Sequence, residues 1–179
     1  MAIPGSSVAF RVADRRWPFL WTDDTQPEGR WHGIGEGPCH YLSNTAEAAW
    51  AEYLRHAGIR DRDEIEDVER SLWMVLLDPP TTDPDLPDAT LTGNRATYPR
   101  CQEQARRLRA RGAVGLRAPA AALLPPGAAV YGVSASGQHL ADKVAGLTYA
   151  MFGYTERLRG LPVAEGRPDP SVLPRVRHL

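Results

Sequence analysis

The chain has 179 residues, 42% hydrophobic and 24% charged, which excludes disordered, fibrous and collagen-like classes. It predicts a domain able to bury its own core without a metal or disulfide staple. Lys+Arg 21 against Asp+Glu 22 leave a net charge of −1, so no bulk cationic field exists to recruit nucleic acid or an anionic membrane.

Cys39 and Cys101 stand apart with no paired Cys/His spacing, which predicts a reducing, cytoplasmic setting and no metal site. No apolar run approaches ~18 residues, and Met1 to Ser7 lack the basic and apolar regions of a signal peptide. Lys143 is the single lysine, so the remaining basic residues are arginines, suited to bidentate binding of phosphates and carboxylates.

In chain order, Ser7 to Val12 alternates around Val8, Phe10 and Val12, predicting a strand with Arg11 on its other face. A loop runs from Ala13 to Glu28, and the glycine-rich Gly29 to Gly37 leads into a short buried strand at Cys39 to Leu42. Asn44 with Glu47 three residues on reads as a capping box opening a helix over 44–57, which Gly58 stops. Asp61 to Asp67 is a short acidic helix or turn, and Arg70 to Leu77 a buried strand closed by Pro79-Pro80. After a loop from Thr81 to Pro87, a basic helix spans Tyr98 to Arg111 with Ala105 and Leu108 inward, stopped by Gly112. Strands are predicted at Ala113 to Arg117 and Ala128 to Val133, with a turn at Pro119 to Gly127 and a weak helix at Ala141 to Tyr149. Prolines from Pro162 onward predict an extended or partly ordered arm. The elements mix without regular βαβ alternation, so the fold class is α+β.

Gly33, Gly35 and Gly37 could cradle a phosphate, but a strand follows where a dinucleotide fingerprint needs a helix, and no Walker lysine is present. The stronger features frame this loop. Arg30 precedes it, Tyr41 ends the next strand, and Glu52 lies on the helix, spaced eleven positions apart. On a helical wheel Glu52 sits beside Ala49 and His56 at the edge of the apolar stripe, whereas Glu47, Ala51 and Arg55 point to water. A carboxylate at such a margin makes either an i,i+4 contact with His56 or part of a site. Trp31, Trp50 and Trp73 read as core.

Taken together, Gly29-Arg30-Trp31-His32, His40-Tyr41-Leu42-Ser43 and Ala49-Trp50-Ala51-Glu52 with His56 downstream resemble the RES-domain family. The opening Phe10-Arg11-Val12 and the distal Gly112-Ala113-Val114-Gly115-Leu116 with Pro119 are similar to that family's first and last motifs, so the likeness spans about residues 9 to 130. Residues 1–160 are then a RES-like domain and 161–179 a proline-rich tail.

The resemblance implies an ADP-ribosyltransferase-like single domain, α+β, with a split, mostly antiparallel β-sheet and flanking helices. It implies an enzyme that consumes NAD as substrate, a glycohydrolase or phosphorylase acting as the toxin of a bacterial toxin–antitoxin pair. The expected partner is an antitoxin protein encoded nearby; the sequence leaves room for a homodimer. Arg30, Tyr41, Arg11, His32 and His56 are the implied nucleotide-binding residues, with Glu52, Arg30 and Tyr41 catalytic.

Chemistry gives these residues roles. Nicotinamide leaves a pyridinium as a neutral molecule, so the site must stabilise an oxocarbenium-like ribose, which the Glu52 carboxylate can do. The Arg30 fork suits the pyrophosphate, the Tyr41 ring can stack on nicotinamide, and His56 can orient Glu52. Two positions depart from the family pattern: His32 stands where it has Asn, and Ala118-Pro119-Ala120-Ala121 lacks its distal serine, placing Ala120 there and leaving Ser134 or Ser136 as substitutes. Two alternatives follow, a mono-ADP-ribosyltransferase acting on a protein and a catalytically impaired module that binds a nucleotide or partner.

Overall fold

In the computed structural model, which describes residues 7–78, 80–153, 156 and 158–179, six strands form one antiparallel sheet in the order β4-β7-β2-β1-β3-β8. These are β1 (Ser7–Ala13), β2 (Cys39–Ser43), β3 (Arg70–Leu77), β4 (Gly115–Pro119), β7 (Leu147–Phe152) and β8 (Arg159–Gly166). β5 (Tyr131–Ser134) and β6 (Gly137–Leu140) make a separate hairpin. The helices are α1 (Ala46–Ala57), α2 (Arg62–Glu66), α3 (Asp88–Leu91) and α4 (Tyr98–Ala110). This is the α+β class with an antiparallel sheet that the sequence predicts. The reading of the N-terminal leader falls almost wholly on residues 1–6, outside the described residues, as does Pro79 of the strand stop. Among the described residues no helix is long and apolar enough to cross a membrane.

The sheet is nearly split in the middle. β1 and β3 pair along seven positions, but β1 meets β2 only at Phe10 and Ser43. Across the register, Met74, Phe10, Ser43, Thr148 and Ala118 lie opposite one another and therefore share a face. On this face α1 packs with Phe10, Val12 and Leu72, and α4 packs with Cys39, Leu116 and Ala118. Between the two helices, over the split, the face is left open. The other face is closed by Leu42, Val75 and Met151 with Phe19, Leu20 and Trp73 against them.

Several elements differ from the sequence reading, each for a tertiary reason. The N-cap of α1 is Thr45, whose hydroxyl accepts from Ala48 N at 3.1 Å. Asn44 instead pins the start of β7, donating to Ala145 O and accepting from Leu147 N, and Glu47 accepts from Ala129 N and pairs with Arg175. The segment predicted as a weak helix at 141–149 ends in β7, an inner strand. Inner strands are buried on both faces and lose the period-two signal.

The expected arm from Pro162 is also ordered. β8 pairs along β3 as an edge strand, with a register shift at Leu72/Trp73 beside Pro162, the setting in which a strand tolerates proline. Beyond it a 3₁₀ turn at Pro170–Arg175 lays Val172 and Val176 against α1. This segment and Ala120 to Ala128 cover the outer side of α1. Ala51 and Arg55, placed in water by the helical wheel, are therefore 0% and 3% exposed.

Candidate functional site

The open stretch of sheet between α1 and α4 is a cavity of about 530 Å³, within the range of small-molecule sites. Its floor is Tyr41, Ser43 and Thr148 from β2 and β7, with Phe10, Arg11 and Val12 from β1. α1 supplies Glu52, Arg55 and His56; the loop after β1 supplies Arg30 and His32; Tyr98, Pro119 and Ala121 close the remaining side. All six residues predicted for the site, Arg11, Arg30, His32, Tyr41, Glu52 and His56, thus line one cavity.

The fold fixes most of them by hydrogen bonds that sequence reasoning does not reveal. Arg30 is buried, its Nη1 donating to Thr90 O (3.1 Å) and Thr97 Oγ1 (3.0 Å) and its Nη2 to Gly93 O (2.6 Å). Its guanidinium also stacks over the Tyr98 ring at 4.9 Å. The Nη donors expected to grip pyrophosphate are therefore held by the 90–97 loop, and Arg30 stands as a fixed positive charge on the wall. Gly93 must be glycine, because a Cβ there would lie 2.5 Å from Thr97 Cγ2.

The Tyr41 hydroxyl accepts from Trp31 N at 2.9 Å and lies 2.9 Å from His32 Nδ1. His32 Nε2 is 3.0 Å from Pro27 O, which can only accept, so Nε2 carries the proton and the tyrosine donates to Nδ1. Burial agrees with that assignment: it pushes His32 below its ordinary pKa and Tyr41 well above its own, keeping both neutral. Together they brace the chain at Gly29, where a Cβ would lie 2.5 Å from the Tyr41 hydroxyl.

Glu52 Oε2 is 3.5 Å from His56 Nε2, one helical turn on, and its side chain is 24% exposed. The i,i+4 contact and the position on the cavity wall, weighed as alternatives from sequence, both hold.

Two arginines carry more than the sequence signals. Arg11 crosses the split in the sheet to donate from Nη1 to Tyr41 O (3.3 Å), while its buried Nε has no partner. Burial lowers its pKa to about 10, which leaves it charged at neutral pH. Arg55, absent from the expected site, donates to Ala121 O from Nη1 and to Gly93 O from Nη2. Among the described residues no carboxylate pairs within 4.0 Å with Arg11, Arg30 or Arg55. The cavity thus holds three unneutralised guanidiniums, with Glu52 as the acid on its helical wall.

The glycine loop does different work from a phosphate cradle. Glu36 takes the Gly33 amide at 2.8 Å and ion-pairs with Arg106 and Arg109 of α4. Burial alone would raise the Glu36 pKa, but the Gly33 amide and the two arginines outweigh it and bring it to about 2. Because the folded value lies below the ordinary 4.5, the stabilisation is full above that value and is lost as pH falls toward 2. Glu36→Gln should accordingly lower the melting temperature at pH 7 and lower it by much less at pH 2.5. An equal loss at both pH values would show that the carboxylate's charge is not what holds the loop.

The substitutes for the distal serine fail on position. Ala120 packs in the core beside Gly146 and Leu123, while its neighbours Pro119 and Ala121 line the cavity. Ser134 and Ser136 lie on the exposed β5–β6 hairpin, 2.9 Å from each other and away from the cavity lining.

No curated protein matches the chain. Among solved structures it is similar to a chain of the M. tuberculosis MbcT-MbcA toxin-antitoxin complex, with a TM-score of 0.62 at 16% identity. That match covers 94% of this chain and 87% of the other, a likeness of fold. Residues 8–142 match the RES domain, three quarters of the chain and every one of the six predicted cavity residues, and the chain belongs to the RES-domain family.

Proposed function

We propose that this protein is the toxin of a toxin–antitoxin pair and cleaves the nicotinamide–ribose bond of NAD, by hydrolysis or phosphorolysis. The observation that carries this reading is the charge layout of the cavity, two buried arginines and a half-buried one, none paired with a carboxylate, with the Glu52 carboxylate on the helical wall. Family membership supports it, and the structural neighbour comes from a toxin-antitoxin complex.

A dinucleotide answers both features. Its diphosphate brings two negative charges to the arginines, and its pyridinium-bearing ribose becomes cationic as nicotinamide leaves, which the Glu52 carboxylate stabilises. Arg11, whose guanidinium makes a single protein hydrogen bond, is the arginine left to contact a phosphate; Arg30 and Arg55 supply fixed positive field. The Tyr41 ring forms the wall for the flat nicotinamide, and His56 positions Glu52. Water or phosphate then attacks the ribose carbon from which nicotinamide has departed.

Incubation of the purified protein with NAD, with and without phosphate, tests this. Nicotinamide with ADP-ribose marks hydrolysis, and nicotinamide with ADP-ribose phosphate marks phosphorolysis. Nicotinamide release only when a target protein is added marks mono-ADP-ribosylation. Binding without release marks an impaired module and overturns the enzyme reading.

A further inference from the structure

At the floor of the cavity the sheet register places Ser43 of β2 directly opposite Thr148 of β7, both on the face that α1 and α4 leave uncovered. Both residues are buried, at 3% and 7% exposure. Thr148 Oγ1 has no hydrogen-bond partner in the protein. Valine has the same shape, favours strands, and would bury no unsatisfied group here, so the hydroxyl costs stability in the free protein. A buried, unpaired hydroxyl that faces a ligand-sized cavity is one whose partner arrives with the ligand.

We infer that Thr148 is a substrate-binding residue whose Oγ1 hydrogen-bonds a ribose hydroxyl of the bound dinucleotide, with Ser43 beside it on the same floor. The inference rests on the proposed NAD reading and adds a residue that neither the motifs nor the family pattern singled out. A hydroxyl is suited to this contact because it donates and accepts, as a sugar hydroxyl does. It also bears on the missing distal serine. With Ala120 turned into the core, β7 supplies a hydroxyl to the cavity from a different strand.

The test compares Thr148→Val with Thr148→Ser on three readouts: ADP-ribose binding by calorimetry, KM for NAD, and the melting temperature of the free protein. Thr148→Val should weaken ADP-ribose binding and raise KM for NAD by about tenfold, the size of one hydrogen bond. Its free melting temperature should equal or exceed that of the wild type. Thr148→Ser, which keeps the hydroxyl, should bind nearly as the wild type does. Wild-type binding and KM in Thr148→Val would overturn the inference while leaving the NAD reading intact. An effect on NAD but none on ADP-ribose would place the contact on nicotinamide and overturn the ribose assignment. A marked fall in melting temperature would show that the hydroxyl has a structural partner, which also overturns it. Failure of the wild type to bind ADP-ribose or consume NAD would bring down the NAD reading itself, and this inference with it.

Discussion

Glu52→Gln should cut NAD turnover by about 10²-fold or more, with the melting temperature unchanged. The substitution keeps side-chain volume and removes the charge that faces the developing oxocarbenium. Its structural cost is small, because the partner of Glu52 is His56 at 3.5 Å, itself 54% exposed, and an exposed i,i+4 pair contributes about 0.3–0.5 kcal/mol. A folded Glu52→Gln protein with near wild-type turnover would remove Glu52 from the chemistry. If overexpression of the wild type arrests growth, the variant should relieve that arrest.

Arg11→Met should weaken binding of NAD and of ADP-ribose by roughly 10–100-fold, the loss of about 1.5–3 kcal/mol for a hydrogen bond to a charged group. The free protein should remain as stable as the wild type or gain stability, since a buried guanidinium with an unpartnered Nε is replaced by an apolar chain of similar length. Opposite changes in affinity and stability separate a ligand-binding charge from a structural one. Unaltered affinity would return the phosphate contact to Arg30 or Arg55. A large drop in melting temperature would mean that the single bond to Tyr41 O holds the split sheet together.

The comparison of sequence with structure is uneven along the chain. Arg-Ser-Leu-Trp-Met-Val-Leu-Leu is legible as β3 to the residue, and α1 and α4 are found within two residues, because strong apolar runs and glycine stops mark them. β7 and β8 are not legible. Leu147 to Phe152 lies between two other strands and shows no alternation, and Pro162 argues against a strand unless the edge position is known.

The same contrast holds in the site. Arg30, Tyr41 and Glu52 belong to motifs on one loop, one strand and one helix; the contacts of Tyr41 with Trp31 and His32 and of Glu52 with His56 are near in sequence, whereas those of Arg30 reach the 90–97 loop. Arg55 is hidden because its side of α1 is covered by segments more than 60 residues away, so a helical wheel assigns it to solvent. Ser43 and Thr148 are hidden because a strand hydroxyl looks the same in sequence whether it is wet or buried. Their adjacency exists only in the sheet register.

The carbonyl of Gly93 accepts from both Arg30 and Arg55, and this ties two walls of the cavity to one peptide plane. Rotation of that plane would break one hydrogen bond of each guanidinium at once, which couples the two charges although one comes from a loop and the other from a helix. The effects of altering Arg30 and Arg55 should therefore not sum. In a double-mutant cycle with Arg30→Lys and Arg55→Lys, NAD affinity should show a coupling of about 0.5–3 kcal/mol. Additivity would mean that each guanidinium is held by its other acceptors, and that the 90–97 loop is free to shift under one without disturbing the other.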